Sequence, residues 1–226
     1  MSEKTKIAVL ISGGGTNLQA LIDAERDGKI PDGEIVLVVS NQADAYGLTR
    51  AKEAGIPALT VTKEKARRDA DGKTDKKDAA EKQEDFERRL LKCLKESGAE
   101  LIVLAGFLAI LGEGFVKQYP ERIINIHPSL IPSFCGKGYY GLKVHEAALS
   151  YGVKVTGATV HYVNEVPDGG KILLQKAVYI EEGDTAEILQ KRVMQEAEWQ
   201  ILPRAAELVA GKIRGEKQEP ANQCKN

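Results

Sequence analysis

Cysteine and histidine are scarce in this chain of 226 residues, with three of each. Cys93, Cys135 and Cys224 are odd in number, far apart and without metal-ligand spacing. They exclude a disulfide framework and suit a reducing compartment. His127, His145 and His161 are too widely spaced to form a ligand cluster, so no metal is expected. An excess of either charge is also missing: 32 basic residues against 33 acidic ones leave a net charge of −1. That balance favours neither nucleic acid nor an anionic membrane as partner. No apolar run reaches membrane-spanning length. Met1 to Lys6 lead straight into a strand-like run without the layout of a secretory leader, so a cytoplasmic protein is expected.

What is present suits a folded core, with 42% hydrophobic and 29% charged residues. There is no internal repeat and no convincing linker, so residues 1–226 are expected to form a single domain. Lys6–Ile11 is a continuous apolar run, as a central parallel strand covered on both faces requires. Glu34–Ser40, Ala58–Val61 and Leu101–Phe107 repeat it, with helical segments between. The first helix carries Leu18, Leu21 and Ile22. The second is expected to be capped by Asn41–Asp44 and stopped at Gly55-Ile56-Pro57. Lys63–Gln83 mixes both charges densely and reads as a solvated helix or loose loop. Phe86, Leu90, Leu91 and Leu94 then form an apolar stripe closed by Gly98. Val144, Ala147, Ala148 and Leu149 mark a short helix in which His145 is expected to be structural.

Beyond it, Val153–Val163 and Lys171–Ile180 are joined by a turn short enough for an antiparallel hairpin. Glu181–Thr185 caps a long helix carrying Ile188, Leu189, Val193, Ile201 and Leu202, and residues 215–226 read as a frayed tail. The expectation is an α/β fold, doubly wound and Rossmann-like. It has a mostly parallel sheet of about seven strands, an antiparallel C-terminal hairpin and a long C-terminal helix.

Several stretches can carry chemistry. Ile123–His127 is an apolar strand ended by Pro128, so Asn125 and His127 share a face. They are either a core histidine beside a strand-end amide or a pair that holds an oxyanion and moves a proton. Ser12–Asn17 puts bare backbone N–H groups at a helix start, a site for phosphate or simply a turn capped by Thr16 or Asn17. No Gly-Lys-Ser/Thr follows, and Leu18 stands where a dinucleotide fingerprint needs glycine. Leu108–Gly112 lies just past a strand's carboxyl end, as buried core or as the wall of a heterocycle site. Leu130–Gly141 is a non-helical loop over the strand ends, and its Cys135 lacks the fixed partner a nucleophile needs. Asp168 before Gly169-Gly170 is by itself a turn aspartate.

In order, Ser12–Leu18, Ala105–Leu111, Asn125–Pro132 and Asp168–Gly170 closely resemble the folate-dependent phosphoribosylglycinamide formyltransferases, over about Lys6 to Leu208. The resemblance implies that the N-terminal half holds the ribonucleotide and the C-terminal half the folate and catalytic loop. It makes Asn125, His127 and Asp168 the catalytic trio, supported by Thr159 and His161. Gly13, Gly14, Gly15, Thr16 and Asn17 look like the phosphate cradle, and Glu198 like the ribose-binding glutamate, with Gln195 facing the same way. Leu108, Ala109, Ile110 and Leu111, with Val163, Asn164, Glu165 and Val166, look like the folate side. Ala109 stands where some members carry Arg, and Lys82 or Gln83 near where a folate-tail Arg is often found.

The reaction so implied moves a formyl group from 10-formyltetrahydrofolate, as co-substrate, to the amine of glycinamide ribonucleotide. The amine attacks directly, and Asn125 with an imidazolium His127 holds the oxyanion. Such an enzyme of purine synthesis needs small-molecule partners only, as a monomer or homodimer. The alternatives are a formyltetrahydrofolate hydrolase, which discharges formyl to water, and a non-catalytic nucleotide-binding α/β module.

Overall fold

The computed structural model describes residues 3–68 and 74–218. Seven strands form one sheet: β1 (Thr5–Ile11), β2 (Gly33–Ser40), β3 (Ala58–Thr60), β4 (Leu101–Leu104), β5 (Ile123–His127), β6 (Val155–Tyr162) and β7 (Ile172–Tyr179). Their spatial order is β3-β2-β1-β4-β5-β6-β7. The first five are parallel, while β6 runs antiparallel to both β5 and β7. The order reverses between β1 and β4, so the loops at their carboxyl ends part there and leave a crevice.

Alternation along β1 divides the core in two. Ile7, Val9 and Ile11 pack with Leu18, Leu21 and Ile22 of α1 (Thr16–Arg26) and with Ile201, Leu202 and Val209 of α7 (Trp199–Gln218). Ala8 and Leu10 face Phe86, Leu90 and Leu94 of α3 (Lys76–Ser97) on the other side. A strand covered on both faces must be apolar throughout, which is why Lys6–Ile11 shows no polar alternation.

The remaining helices are α2 (Tyr46–Glu53), α4 (Glu113–Val116), α5 (Leu142–Tyr151) and α6 (Ala186–Val193), and a π-helical turn, Met194–Glu198, joins α6 to α7. Three local expectations need correction. Ala45, not Asn41–Asp44, is the N-cap of α2, because Gly47 N–H is drawn to Gly13 O at 3.0 Å. Neither Thr16 nor Asn17 caps α1; the N-cap is Gly15 in the left-handed region.

The charged segment 63–83 is ordered from Asp75, whose carboxylate accepts from Lys77 N and Asp78 N and so starts α3. Arg67 N–H donates to Asp78 Oδ2 at 2.7 Å, and residues 69–73 lie outside the described residues. Gly215–Gln218 belong to α7 rather than to a frayed end, with Lys217 Nζ donating to Glu100 Oε2 at 2.7 Å. The rest of the expected tail, 219–226, lies outside the described residues. No helix among the described residues is long and apolar enough to cross a membrane.

Candidate active site

Register builds the centre. β6 sets His161 opposite Asn125 and Thr159 opposite His127, so all four side chains project from one face. The turn after β6 then carries Asp168 back over that face. A Cβ on Gly170 would fall 1.7 Å from Tyr162 O, so glycine there is what lets the turn lie against β6. Asp168 Oδ2 lies 3.6 Å from His127 Nδ1, and Oδ1 lies 3.6 Å from His161 Nε2.

Hydrogen bonds assign the ring protons. His161 Nδ1 donates to Tyr162 O at 2.8 Å, which leaves Nε2 to accept from Asn125 Nδ2 at 3.1 Å. The second amide N–H of Asn125 remains for a ligand. His127 Nε2 donates to Phe134 O at 2.9 Å, so its Nδ1 lone pair faces Asp168. Burial lowers the His127 pKa below the usual imidazole range, outweighing the upward pull of Asp168 and Phe134 O. The free ring is therefore mostly neutral near pH 7, and the imidazolium expected to hold the oxyanion is a charge that desolvation opposes. For Asp168, burial acts upward, but His161, His127 and Gly136 N–H together hold it below the ordinary carboxylate range.

Thr159 acts one layer away. Its Oγ1 donates to Ser129 O at 2.7 Å and accepts from Ile131 N at 3.1 Å, bracing the loop that follows β5. That loop returns to the centre twice, through Phe134 O on His127 and through Gly136 N–H on Asp168 Oδ2 at 2.8 Å.

Two cavities meet here. The larger, about 680 Å³, is lined by Gly13–Asn17, the 136–141 loop, His145, Gln190, Met194 and Glu198. The smaller, about 120 Å³, is lined by Leu104, Leu111 and residues 163–166. Asn125, Asp168, Ala109 and Ile110 line both. A hollow of about 670 Å³ between α1 and α7 contains none of these reacting groups, so it is set apart from the site.

At the glycine turn, Gly15 has φ 70°, and a Cβ there would meet Gly47 Cα at 2.6 Å. With no side-chain cap, the N–H groups of the first turn of α1 are left for an anion. Asn17 Nδ2 instead donates to Glu198 Oε2 at 2.9 Å. Burial, only partly offset by that bond, pushes the Glu198 carboxyl up to about 6. Ser12 Oγ accepts from Leu108 N at 2.8 Å and ties the turn to the 108–111 wall.

Not every expected residue arrives. Gln195 is exposed and lines neither cavity, because the π turn widens the helix and puts Gln190, Met194 and Glu198 on one face. Gln83 also lines neither; its Nε2 donates to Ile110 O at 3.0 Å from the rim. His145, expected to be structural, lines the larger cavity, and among the described residues neither ring nitrogen has a hydrogen-bond partner. The roles of Ser12, Phe134 O and Gly136 N–H carry no sequence signature, since backbone atoms do much of the work.

The family model described as formyl transferase matches residues 5–206. The chain belongs to the formyl transferase family. Among relatives, it is 43% identical to the phosphoribosylglycinamide formyltransferase of Haemophilus influenzae, over 88% of this chain and 84% of that one. It is 44% identical over 92% of its length to the trifunctional purine biosynthetic protein adenosine-3 of Gallus gallus, of which it spans 19%. A crystal structure of glycinamide ribonucleotide transformylase 1 from Symbiobacterium toebii superposes with a TM-score of 0.78 at 40% identity, covering 92% of this chain and 89% of that one. In this formyl transferase the cavity junction holds an amide donor, two imidazoles and a carboxylate. Those groups suit an acyl-type transfer through a tetrahedral oxyanion.

Proposed function

We propose that the protein transfers the formyl group of 10-formyltetrahydrofolate to the amino group of glycinamide ribonucleotide, a step of purine biosynthesis. The observation that carries this reading is the sharing of Asn125 and Asp168 by both cavities. The ribonucleotide occupies the larger, its phosphate at Gly13–Asn17 and its ribose near Glu198. The pterin enters between the 108–111 wall and residues 163–166. The reacting amine and formyl carbon then meet where the two spaces join.

Attack of the amine forms a C–N bond and turns the formyl oxygen into an oxyanion. The spare N–H of Asn125 donates to that oxygen. The Asp168 carboxylate, with the Nδ1 lone pair of His127 3.6 Å away, takes the proton released by the attacking nitrogen. The pair returns it to the folate nitrogen as the old C–N bond breaks. Protonation of His127 in the course of transfer puts a positive charge beside the oxyanion when that charge is needed, rather than before. His161 orients the Asn125 amide, and Thr159 steadies the loop. The sparse, separated cysteines are in keeping with a reducing, cytoplasmic setting.

A formyl-transfer assay with glycinamide ribonucleotide present and absent tests the proposal. Formyl should leave the folate only when the amine acceptor is supplied. Release at equal rate without it would replace this reading with hydrolysis.

A further inference from the structure

Two acidic side chains, Asp168 and Glu198, line the larger cavity beside the Gly13–Asn17 turn. Asp168 lies below the usual carboxylate range and is ionised at neutral pH. His127 is neutral, and burial takes His145 down to about 4. A phosphate dianion entering this space therefore meets favourable backbone dipoles but also unfavourable side-chain charge. Of the described residues lining the cavity, one alone is lysine or arginine, and it is Lys137.

The neighbouring cations, Arg50 and Lys143, keep their charge but stay outside the lining of this cavity. Arg50 Nε donates to Gly14 O at 2.9 Å and Nη1 to Gln19 Oε1 at 3.1 Å, with the guanidinium 5.0 Å from the Tyr46 ring centroid. Lys143 Nζ donates to Tyr140 OH at 3.2 Å and lies 4.7 Å from that ring's centroid. Lys137, by contrast, is exposed, and among the described residues none pairs with its ammonium. Its backbone is placed by Gly136, whose N–H is held by Asp168. Gly136 and Gly138 on either side have φ 84° and 97°, a backbone that only glycine adopts freely.

We propose that Lys137 is a specificity-determining residue, a cation that the 136–141 loop brings onto the phosphate held at Gly13–Asn17. The proposal rests on the larger cavity being the ribonucleotide site and names the residue that selects phosphorylated over neutral sugars there.

The test is calorimetric titration of wild type, K137M and K137R with ribose 5-phosphate, with ribose as neutral control, at low and high salt. K137M should weaken ribose 5-phosphate binding on the order of 10- to 100-fold, the loss expected for one charge-assisted contact. It should also flatten the salt dependence, leave ribose unaffected and keep the melting temperature. K137R should stay within a few-fold of wild type. In formyl transfer, KM for glycinamide ribonucleotide should rise by the same factor with kcat and folate KM unchanged. Equal binding of ribose 5-phosphate by K137M and wild type, or no binding by wild type, overturns the proposal. If ribose 5-phosphate binding depends on Lys137 but no formyl reaches glycinamide ribonucleotide, the catalytic reading fails while the phosphate clamp stands.

Discussion

The backbone N–H of Gly136 donates to Asp168 Oδ2 at 2.8 Å, so the covering loop is pinned to the acid beneath it. Replacing that acid separates its two duties. Asp168→Asn keeps an oxygen for Gly136 but loses the basic carboxylate. Turnover should fall by roughly 10²–10⁴, with substrate affinity and melting temperature nearly unchanged. Asp168→Ala should lose the same rate and also release the loop, read as faster proteolytic nicking near residue 136. Wild-type turnover in Asp168→Asn would remove this carboxylate from the proton path.

Asn125 has one amide N–H on His161 and one left over. Asn125→Ala should therefore cost kcat about 10²–10³, with a smaller change in KM. Single-turnover kinetics separate this from a binding defect.

Gly15 tolerates no side chain for two independent reasons, its φ of 70° and the 2.6 Å approach of any Cβ to Gly47 Cα. Gly15→Ala should destabilise the fold by roughly 1–3 kcal/mol and raise KM for the ribonucleotide more than for the folate. Urea unfolding and steady-state kinetics read the two effects.

Acid should weaken the fold through His145. Its ring is held down to about 4 by burial, helped by His127, so in the folded state it binds its proton later than an unfolded histidine. The stability it contributes is complete above about 6.5, is lost as pH falls from there to about 4, and amounts to about 3 kcal/mol. Glu198, raised to about 6, acts with the opposite sign: it favours the folded state at acid pH, and that contribution is lost as pH rises through about 6. Chemical denaturation against pH should show His145→Gln gaining on wild type steadily from pH 6.5 to 4. A constant difference between the two would refute the assignment.

The sheet was legible because β1 and β4 are unbroken apolar runs and the turns between strands carry glycine. The stripe Phe86, Leu90, Leu94 likewise announced α3, but its beginning at Lys76 depends on Asp75 taking two backbone N–H groups, a cap lost among many charges. Asn125 and His127 could be put on one face from their spacing alone. That His161 would stand opposite Asn125 depends on antiparallel register, which the hairpin gives only between β6 and β7. Resemblance rather than pattern singled out Asp168, since a lone Asp before two glycines looks like any turn. The protonation of His127 is not legible from spacing, because burial and the Asp168 carboxylate pull its pKa in opposite directions and neither can be weighed before both are located. Gln195 leaves the face that its spacing from Glu198 predicts because the two are separated by a π turn, which holds more residues than an α turn.

That turn has an evolutionary corollary. The turn holds one residue more than the α turn it replaces, so removing a single codon between Met194 and Ala197 would let the segment relax to regular α-helix with α6 and α7 close to their present phase, while the side chains of the turn itself are re-aimed. Gene length at this spot, and not only its spelling, sets which side chains of the turn face the larger cavity.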